Sequence, residues 1–215
     1  IHFNMDEVGV NGYSYMYQWF SGSGNRAAVL SDQLMSIFNE SDMQGDLRKA
    51  YTVKDYQNGN ELRKYMAGDI SNSLNKTCEV AYPVYRYTDM LLLQAEARAR
   101  LGKWEEALDL VKKVRDRAGL ATPTALGFAS EDEVINYILR ERQVELVGEG
   151  RRWFDLVRMG KFVERMKEHS VYEASIAESN KTDIASNVKD HMILMPIPQH
   201  EMDLNPELTQ NPGWN

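Results

Sequence analysis

The sequence predicts a mainly α-helical protein, in which helical hairpins stand beside an irregular, loop-rich region with short strands. The helix signal begins at Arg86, and residues 91–101 are dense in alanine, leucine, glutamate and arginine, which are good helix formers. Residues 104–118 place their aliphatic side chains on one helical face. Residues 39–82 are instead polar and rich in turn signals, which predicts the irregular region. We divide the chain into an irregular aromatic region over 1–82, a helical scaffold over 83–169 and a tail over 170–215.

The irregular region begins with aromatic and polar side chains in alternation. This period of two runs from Tyr13 to Trp19 and predicts a strand with one aromatic face. The glycine- and serine-rich residues 21–25 predict a loop, and residues 27–38 predict a one-sided amphipathic helix. Further along, Asn58-Gly59 predicts the turn of a β-hairpin.

Two glycines delimit the predicted helical hairpin. Gly102 ends its first helix, and Gly119 ends its second. The pair resembles one tetratricopeptide (TPR) repeat, in which the small Ala95 and Ala107 let the backbones approach and Trp104 fills the groove between repeats. One hairpin of this kind cannot bury both of its faces, so we expect other helices to pack beside it.

Further helices follow the hairpin. Ser130 is a candidate N-cap, with Glu133 in the position that completes a capping box. This helix should end near the glycines of residues 148–150, and one more helix should span residues 153–162. Polar residues 170–190 predict a surface excursion. Four prolines in about the last 20 residues then predict an extended tail that packs on the scaffold.

Composition argues against several classes of function. The formal net charge of −7 repels phosphate backbones and argues against nucleic-acid binding. The single cysteine, Cys78, provides neither an internal disulfide nor a cysteine-based zinc cluster, and the histidines lack metal-binding spacing. No apolar run reaches the roughly 18 residues of a membrane-spanning helix. We therefore predict no metal ion and no cofactor.

Two patterns could still indicate an enzyme. Residues 22–27 fit a G-x-G-x-x-A dinucleotide-binding turn, with Asp42 about 20 residues further on. The strand of such a fold is a continuous aliphatic run, whereas the run before this loop alternates. Glu141 and Glu145 form a carboxylate pair, but a glycosidase needs its two carboxyls across a cleft. Together with Arg142, these acids are more simply interpreted as a partly buried charge network.

Several segments, in this order, resemble the C-terminal portion of the SusD/RagB family, surface lipoproteins that capture nutrients beside outer-membrane transporters. The most specific is the arginine- and glutamate-rich helix followed by Gly150-Arg-Arg-Trp-Phe-Asp-Leu. We interpret this run as a fold signature, with Trp153 and Phe154 as core anchors. The matching runs begin at Tyr85, Gly102, Ile138, Met195 and Asn205. The signature residues are Arg86, Trp104, Arg142, Glu145, Arg152 and Trp153.

The resemblance implies a non-catalytic protein that binds an oligosaccharide, or a peptide in some branches, and delivers it to a SusC-like TonB-dependent transporter. It also implies an outer-membrane, cell-surface location through a lipid anchor in an N-terminal part that this chain lacks. Family members place ligand aromatics outside the helical scaffold, although an alternating aromatic strand is more often half of a core. The candidate ligand-binding residues are Trp19, Tyr17, Phe20, Tyr51 and Tyr56. The alternative is a helical-repeat adaptor that binds a protein or peptide partner.

Overall fold

The computed structural model describes residues 2–3, 30–56, 59–64, 82–175 and 187–214. These residues belong to two compact units, Ile1–Arg152 and Trp153–Asn215. The predicted aromatic strand over residues 13–19 and the loop that follows it lie outside the described residues. The described elements are numbered below in chain order within each type.

The described strands of the first unit are short and antiparallel. Strand β1 (His2–Phe3) pairs with β4 (Tyr82–Pro83), and β2 (Val53–Tyr56) pairs with β3 (Gly59–Leu62). The second pair confirms the predicted hairpin. Its register differs from the prediction, because Tyr56 pairs with Gly59. Gly59 is therefore the first residue of the returning strand and not part of the turn.

Two short helices precede this hairpin. They are α1 (Asp32–Ile37) and α2 (Arg48–Thr52). The Ser31 hydroxyl accepts a hydrogen bond from the backbone N–H of Leu34, which explains where α1 begins. The apolar face of α1 packs into one core with the β-hairpin and the scaffold. That core contains Leu30, Leu34, Ile37, Phe38, Met43, Val53, Leu62, Ala118, Leu120 and Val144.

The predicted helical hairpin is confirmed over almost its full length. Helix α3 spans Tyr87–Arg100 and helix α4 spans Trp104–Arg117. Gly102 and Gly119 have φ angles of 73° and 78°, in the left-handed region that ends helices without strain only for glycine. Because Ala95 and Ala107 are fully buried and small, the two helices can lie close together. Helix α3 also packs against the next helix, α5 (Glu131–Glu145).

Helix α5 begins at the predicted cap, with one difference in its hydrogen bonds. Ser130 Oγ accepts from the backbone N–H of Glu133 at 3.3 Å. The Glu133 carboxylate accepts from the backbone N–H of Ala129 at 2.8 Å, one residue before the position of a standard capping box. Gly148 and Gly150, both with positive φ, follow the end of the helix.

The segment over residues 153–162, predicted as one helix, is two. Helix α6 spans Arg152–Arg158 and α7 spans Phe162–Ser175, with Gly160 at a φ of 66° between them. Helix α7 therefore continues for several residues into the segment predicted as a surface excursion.

The expectation that Trp153 and Phe154 are core anchors is wrong. The two residues are 38% and 64% exposed, because Asp155 and Leu156 occupy the buried face of α6 instead. Trp153 packs the edge of its ring against Phe162, at a centroid distance of 4.6 Å.

The tail is not extended throughout. A helix, α8 (Gln199–Leu204), follows Pro198, which is tolerated there because it stands at the helix start. The Gln210 side chain then bonds to both the N–H and the C=O of Ile197, at 2.7 and 2.9 Å. Trp214 donates to the Leu194 carbonyl at 2.8 Å, so the end of the chain folds back on the start of the tail. The prediction that this tail packs on the scaffold stays a prediction.

Candidate functional site

Two of the five candidate ligand-binding aromatics lie within the described residues. Tyr51 lies on α2 and is 76% exposed. Tyr56 ends strand β2, at the hairpin. Trp19, Tyr17 and Phe20 lie outside the described residues, so their role in ligand binding stays a prediction.

Helix α2 is fixed at its first turn by a buried arginine. One carboxylate oxygen of Asp46 accepts from the backbone N–H of Arg48 at 2.8 Å and from its Nε at 3.0 Å. The other oxygen accepts from Nη2 at 2.7 Å. This two-pronged arrangement sets the direction of the Arg48 guanidinium. The exposed Tyr51 therefore stands on a short helix whose base is rigidly held.

Arg48 points into a row of three buried glutamates. Glu141 and Glu145 lie one turn apart on α5, and Glu149 follows in the glycine segment after it. We call these three side chains the carboxylate ladder. Arg48 Nη1 bridges the first two, with distances of 2.6 Å to Glu141 and 3.0 Å to Glu145. Arg86 bridges the last two, with distances of 2.6 Å to Glu145 and 2.9 Å to Glu149.

Three further cations contact the carboxylate ladder. Arg115 of α4 contacts Glu141 at 3.0 Å, and Arg117 contacts Glu145 at 2.6 Å. Lys64, just beyond strand β3, forms an ion pair with Glu149. Each glutamate therefore has at least two cationic partners, as a charge in a buried position requires. The ladder ties α2, β3, the start of α3 and the end of α4 to α5.

Burial and mutual electrostatic attraction shift pKa values in the carboxylate ladder and among its cationic partners. Burial alone would raise the pKa of Glu145, but the charges and hydrogen bonds of Arg86 and Arg117 outweigh it and lower that pKa to about 2. Burial disfavours the charged forms of Arg48 and Arg86 too, yet their carboxylate partners outweigh it and raise both pKa values. For Lys64 the balance is opposite, because burial lowers its pKa in spite of Glu149.

A second buried ion pair lies on another face of α5. Arg142 Nη2 contacts Asp89 of α3 at 2.8 Å, and both residues are almost fully buried. Arg151 reaches the other oxygen of Asp89 at 3.3 Å and stacks on the Tyr85 ring at 4.3 Å. This pair joins α5 to α3 independently of the ladder.

The six signature residues have different surroundings. Arg86, Arg142 and Glu145 belong to the two ion-pair systems, and Arg152 donates to the backbone carbonyl of Leu139 at 3.3 Å. Trp104 is half-buried at the start of α4, and Trp153 is the partly exposed residue described above. The sequence alone did not reveal Asp46, Arg48 or Lys64 as partners. The spacing of four between the ladder glutamates was the available signal for a shared set of cations.

The arrangement is suited to holding a scaffold together and poorly suited to acid–base chemistry. Glu141 and Glu145 are buried and saturated by arginines, and the low pKa of Glu145 makes it a weak base. Within the described ranges, no cluster of histidine, cysteine, aspartate or glutamate has the composition of a metal site. Over the same ranges, no helix is long and apolar enough to cross a membrane.

The described residues thus define a mainly helical scaffold with a TPR-like hairpin, held by buried ion pairs, that presents an exposed aromatic side chain. Comparison with known proteins identifies the group to which this scaffold belongs. The sequence profile of the SusD family matches residues 13–214. The chain belongs to the SusD family, as its C-terminal motifs predict.

Individual relatives agree with this assignment. SusD-like proteins P38 and P25 of Formosa agariphila are 36% identical over 146 residues and 29% identical over 179 residues. These matches cover 60% and 80% of this chain but only 28% and 32% of the relatives, so the chain spans about a third of their length.

The solved structures show the same fold. A SusD superfamily protein from Bacteroides vulgatus superposes with a TM-score of 0.67 at 23% identity, over 94% of this chain and 47% of its own. A SusD homolog from Bacteroides thetaiotaomicron superposes with a TM-score of 0.63 at 23% identity, over 85% of this chain and 43% of its own.

Proposed function

We propose that this protein is a non-catalytic glycan-binding protein that captures an oligosaccharide and delivers it to a SusC-like TonB-dependent outer-membrane transporter. Membership of the SusD family supports the general role in nutrient binding. The proposal includes an outer-membrane, cell-surface location through a lipid anchor.

The observation that carries the binding proposal is the position of Tyr51. Its ring is largely exposed, and the flat face of an aromatic ring can stack on the apolar C–H face of a sugar. Because Arg48 fixes the base of α2 to Glu141 and Glu145, little conformational freedom of this helix is lost on binding. Trp19, Tyr17, Phe20 and Tyr56 would complete the aromatic surface.

The absence of turnover is part of the proposal. The paired acids Glu141 and Glu145, the most suggestive catalytic residues, are buried in contact with arginines. A glycosidase acid must be protonated near neutral pH, whereas the pKa of Glu145 is lowered to about 2. These two glutamates would therefore maintain the scaffold, and no hydrolysis should be detected in a reducing-sugar assay.

Affinity electrophoresis against a panel of polysaccharides tests glycan capture. We expect at least one polysaccharide to retard the protein, and we expect Tyr51→Ala to weaken the retardation several-fold because it removes the exposed ring. Tyr87→Ala is a matched control, since Tyr87 is 73% exposed but lies on α3. Retardation by no polysaccharide, or an equal loss in both variants, would contradict the proposal.

Delivery to a transporter needs a separate test. Co-purification from outer membranes of cells that express the protein with its candidate SusC-like transporter should recover a complex. A soluble protein or peptide bound in the helical groove would instead favour the adaptor alternative.

A further inference from the structure

Arg117 is the most exposed of the three arginines that contact Glu145. Its side chain is 55% exposed, compared with 9% for Arg48 and 23% for Arg86. It reaches the carboxylate with one nitrogen, because Nη2 contacts both oxygens of Glu145, at 2.6 and 2.7 Å. Within the part of the chain that the structure describes, Nε and Nη1 of Arg117 have no hydrogen-bond partner. Two sets of N–H donors on this guanidinium therefore stay available to a ligand.

Glu145 does not neutralise Arg117. The single negative charge of this carboxylate is shared by Arg48, Arg86 and Arg117. Arg48 and Arg86 each contact another carboxylate as well, whereas Arg117 contacts no second one among the described residues. Because two less exposed arginines already pair with Glu145, positive charge remains uncompensated at Arg117.

The acids nearest in sequence do not cancel this charge. Asp116 precedes Arg117 but pairs with Lys112 at 2.5 Å. Asp46 lies close to Arg48 in sequence, and it is buried in contact with that arginine. A chain with a net charge of −7 thus presents an uncompensated cation at the end of α4.

Two contacts place Arg117 beside α2, the helix that carries Tyr51. The N-cap residue of α2 donates its backbone N–H to the carbonyl of Ala118 at 3.0 Å. Arg48 Nη1 and Arg117 Nη2 contact the same oxygen of Glu145, at 3.0 and 2.7 Å. Tyr51 follows Arg48 by three residues, which is less than one turn of helix. The exposed cation and the exposed ring are therefore held next to the same carboxylate.

Arg63 supplies a second exposed cation near Tyr51. Its backbone N–H donates to the Thr52 carbonyl at 2.7 Å, and its Nη1 donates to the Ala50 carbonyl at 3.4 Å. These two carbonyls belong to the residues on either side of Tyr51. Arg63 is exposed, and it forms no ion pair with the carboxylates of the described ranges. Two incompletely neutralised guanidinium groups therefore accompany the candidate aromatic.

We propose, on the basis of the glycan-binding function proposed above, that the captured oligosaccharide is anionic. Arg117 and Arg63 bind its carboxylate or sulfate groups while a sugar ring stacks on Tyr51. A guanidinium is planar and always charged, and its forked N–H donors match two oxygens of such a group. Glu145 holds Arg117 in place before the ligand arrives, so little side-chain freedom is lost on binding.

Affinity electrophoresis with two matched pairs of polysaccharides tests this preference. Polygalacturonate is compared with its methyl ester, and dextran sulfate is compared with dextran. We expect at least one anionic polymer to retard the protein several-fold more strongly than its neutral partner does. The two pairs also distinguish a carboxylate from a sulfate ester as the bound group.

The same measurement separates this inference from glycan capture itself. Retardation by neutral polysaccharides alone would overturn the anionic preference and leave glycan capture intact. Retardation by no polysaccharide would contradict both.

Three variants distinguish a specific contact from general attraction between charges. Arg117→Gln and Arg63→Gln should each weaken the retardation by the anionic polymer several-fold. Lys103→Gln is the control, because Lys103 is an exposed cation at the opposite end of α4, about 20 Å from Arg117. It should behave as the parent does.

Circular dichroism establishes that the variants are folded. If Arg117→Gln does not fold, Arg63→Gln still tests the proposal, because Arg63 has no carboxylate partner among the described residues. An equal loss of retardation in Lys103→Gln would overturn the proposal, since it would indicate attraction to the whole surface. Undiminished retardation in folded Arg117→Gln and Arg63→Gln would overturn it as well, and it would leave Arg117 with a structural role alone.

Discussion

Arg142 and Asp89 form an ion pair that has almost no access to water. Arg142→Ala would leave the Asp89 carboxylate buried with less compensation, which typically costs about 3–5 kcal/mol of unfolding free energy. We expect a loss of this size in urea unfolding followed by circular dichroism. Lys112→Ala is the control, because the Lys112–Asp116 pair on α4 is exposed on both sides and should contribute less than about 1 kcal/mol.

Two outcomes would change the interpretation of Arg142. If Arg142→Ala unfolds at the same urea concentration as the parent but loses glycan retardation, the pair has a functional role and not a structural one. If the double variant Asp89→Ala, Arg142→Ala is no more stable than Arg142→Ala alone, the residual charge on Asp89 is not the source of the loss.

Glu145 gives the molecule a pH dependence whose direction follows from its pKa. The folded-state pKa of about 2 lies below the ordinary value of 4.5, so the unfolded chain takes up its proton first as pH falls. The stabilisation is therefore complete above about pH 5 and is lost progressively as pH falls from 4.5 towards 2. The shift corresponds to about 3 kcal/mol at neutral pH.

Urea unfolding of the parent and of Glu145→Gln at pH 7 and pH 3 measures this contribution. We expect the variant to be less stable at pH 7, and we expect the difference to shrink at pH 3. Glu105→Gln is the control, because Glu105 is exposed on α4. It should not change the free energy of unfolding by a comparable amount at either pH. A difference between the parent and Glu145→Gln that is the same at both pH values would show that Glu145 does not titrate as its arginine partners require.

At the scale of elements, the end of the tail depends on a glycine that has a positive φ angle and no space for a side chain. Gly213 has a φ of 86°, and a β-carbon there would overlap the His191 ring. The ring in turn packs edge-on against Trp214 at 5.1 Å. We expect Gly213→Ala to displace Trp214 from His191, because both the backbone angle and the space exclude a side chain. Proton NMR of the His191 ring should report the loss of the indole ring current.

Gly102→Ala is the matched control for this prediction. Gly102 has a similar φ of 73°, but a β-carbon there meets nothing within 4 Å. Gly102→Ala should therefore lower the free energy of unfolding only by the roughly 1–2 kcal/mol of left-handed backbone strain. It should leave the His191 resonances unchanged. An unchanged His191 environment in Gly213→Ala would contradict the close packing at the end of the tail.

The sequence predicts an element well when the residues that determine it lie within the element's own segment. Helices α3, α4 and α5 were predictable because glycines, caps and periodic apolar residues mark them within their own segments. The break between α6 and α7 was missed because Trp153 and Phe162 continue an apolar pattern across Gly160. The pairing of β1 with β4 was also missed, since two-residue strands far apart in sequence have no periodic pattern. Burial of Trp153 was wrongly expected because hydrophobicity alone does not select the packed face.

The candidate site was predictable only in part, for the same reason. Tyr51 is a candidate because of its residue type and its place outside the scaffold, and its role in binding stays a prediction for an exposed side chain. The restraint that Arg48 imposes on it was not predictable, because it depends on Glu141 and Glu145, more than 90 residues away in sequence. Local patterns identify Glu141 and Glu145, but only tertiary contacts identify Glu149 and the cations of the ladder.

At the scale of the whole molecule, salt screens the exposed charges more strongly than the buried ones. The exposed charges sum with the others to a net −7, and their mutual repulsion opposes compact folding. The ladder charges are buried, so dissolved ions screen them much less than surface pairs. Salt should therefore weaken the repulsion more than it weakens the ladder.

We accordingly expect the free energy of unfolding in urea to stay constant or to rise as sodium chloride is increased to about 1 M, where the Debye length falls to about 3 Å. Urea is required because guanidinium chloride is itself a salt. In Glu145→Gln the net charge is less negative, so the rise should be smaller while the overall stability is lower. If added salt lowered the parent's free energy of unfolding by more than about 1 kcal/mol, the scaffold would be held together by screened surface ion pairs and not by the buried ladder.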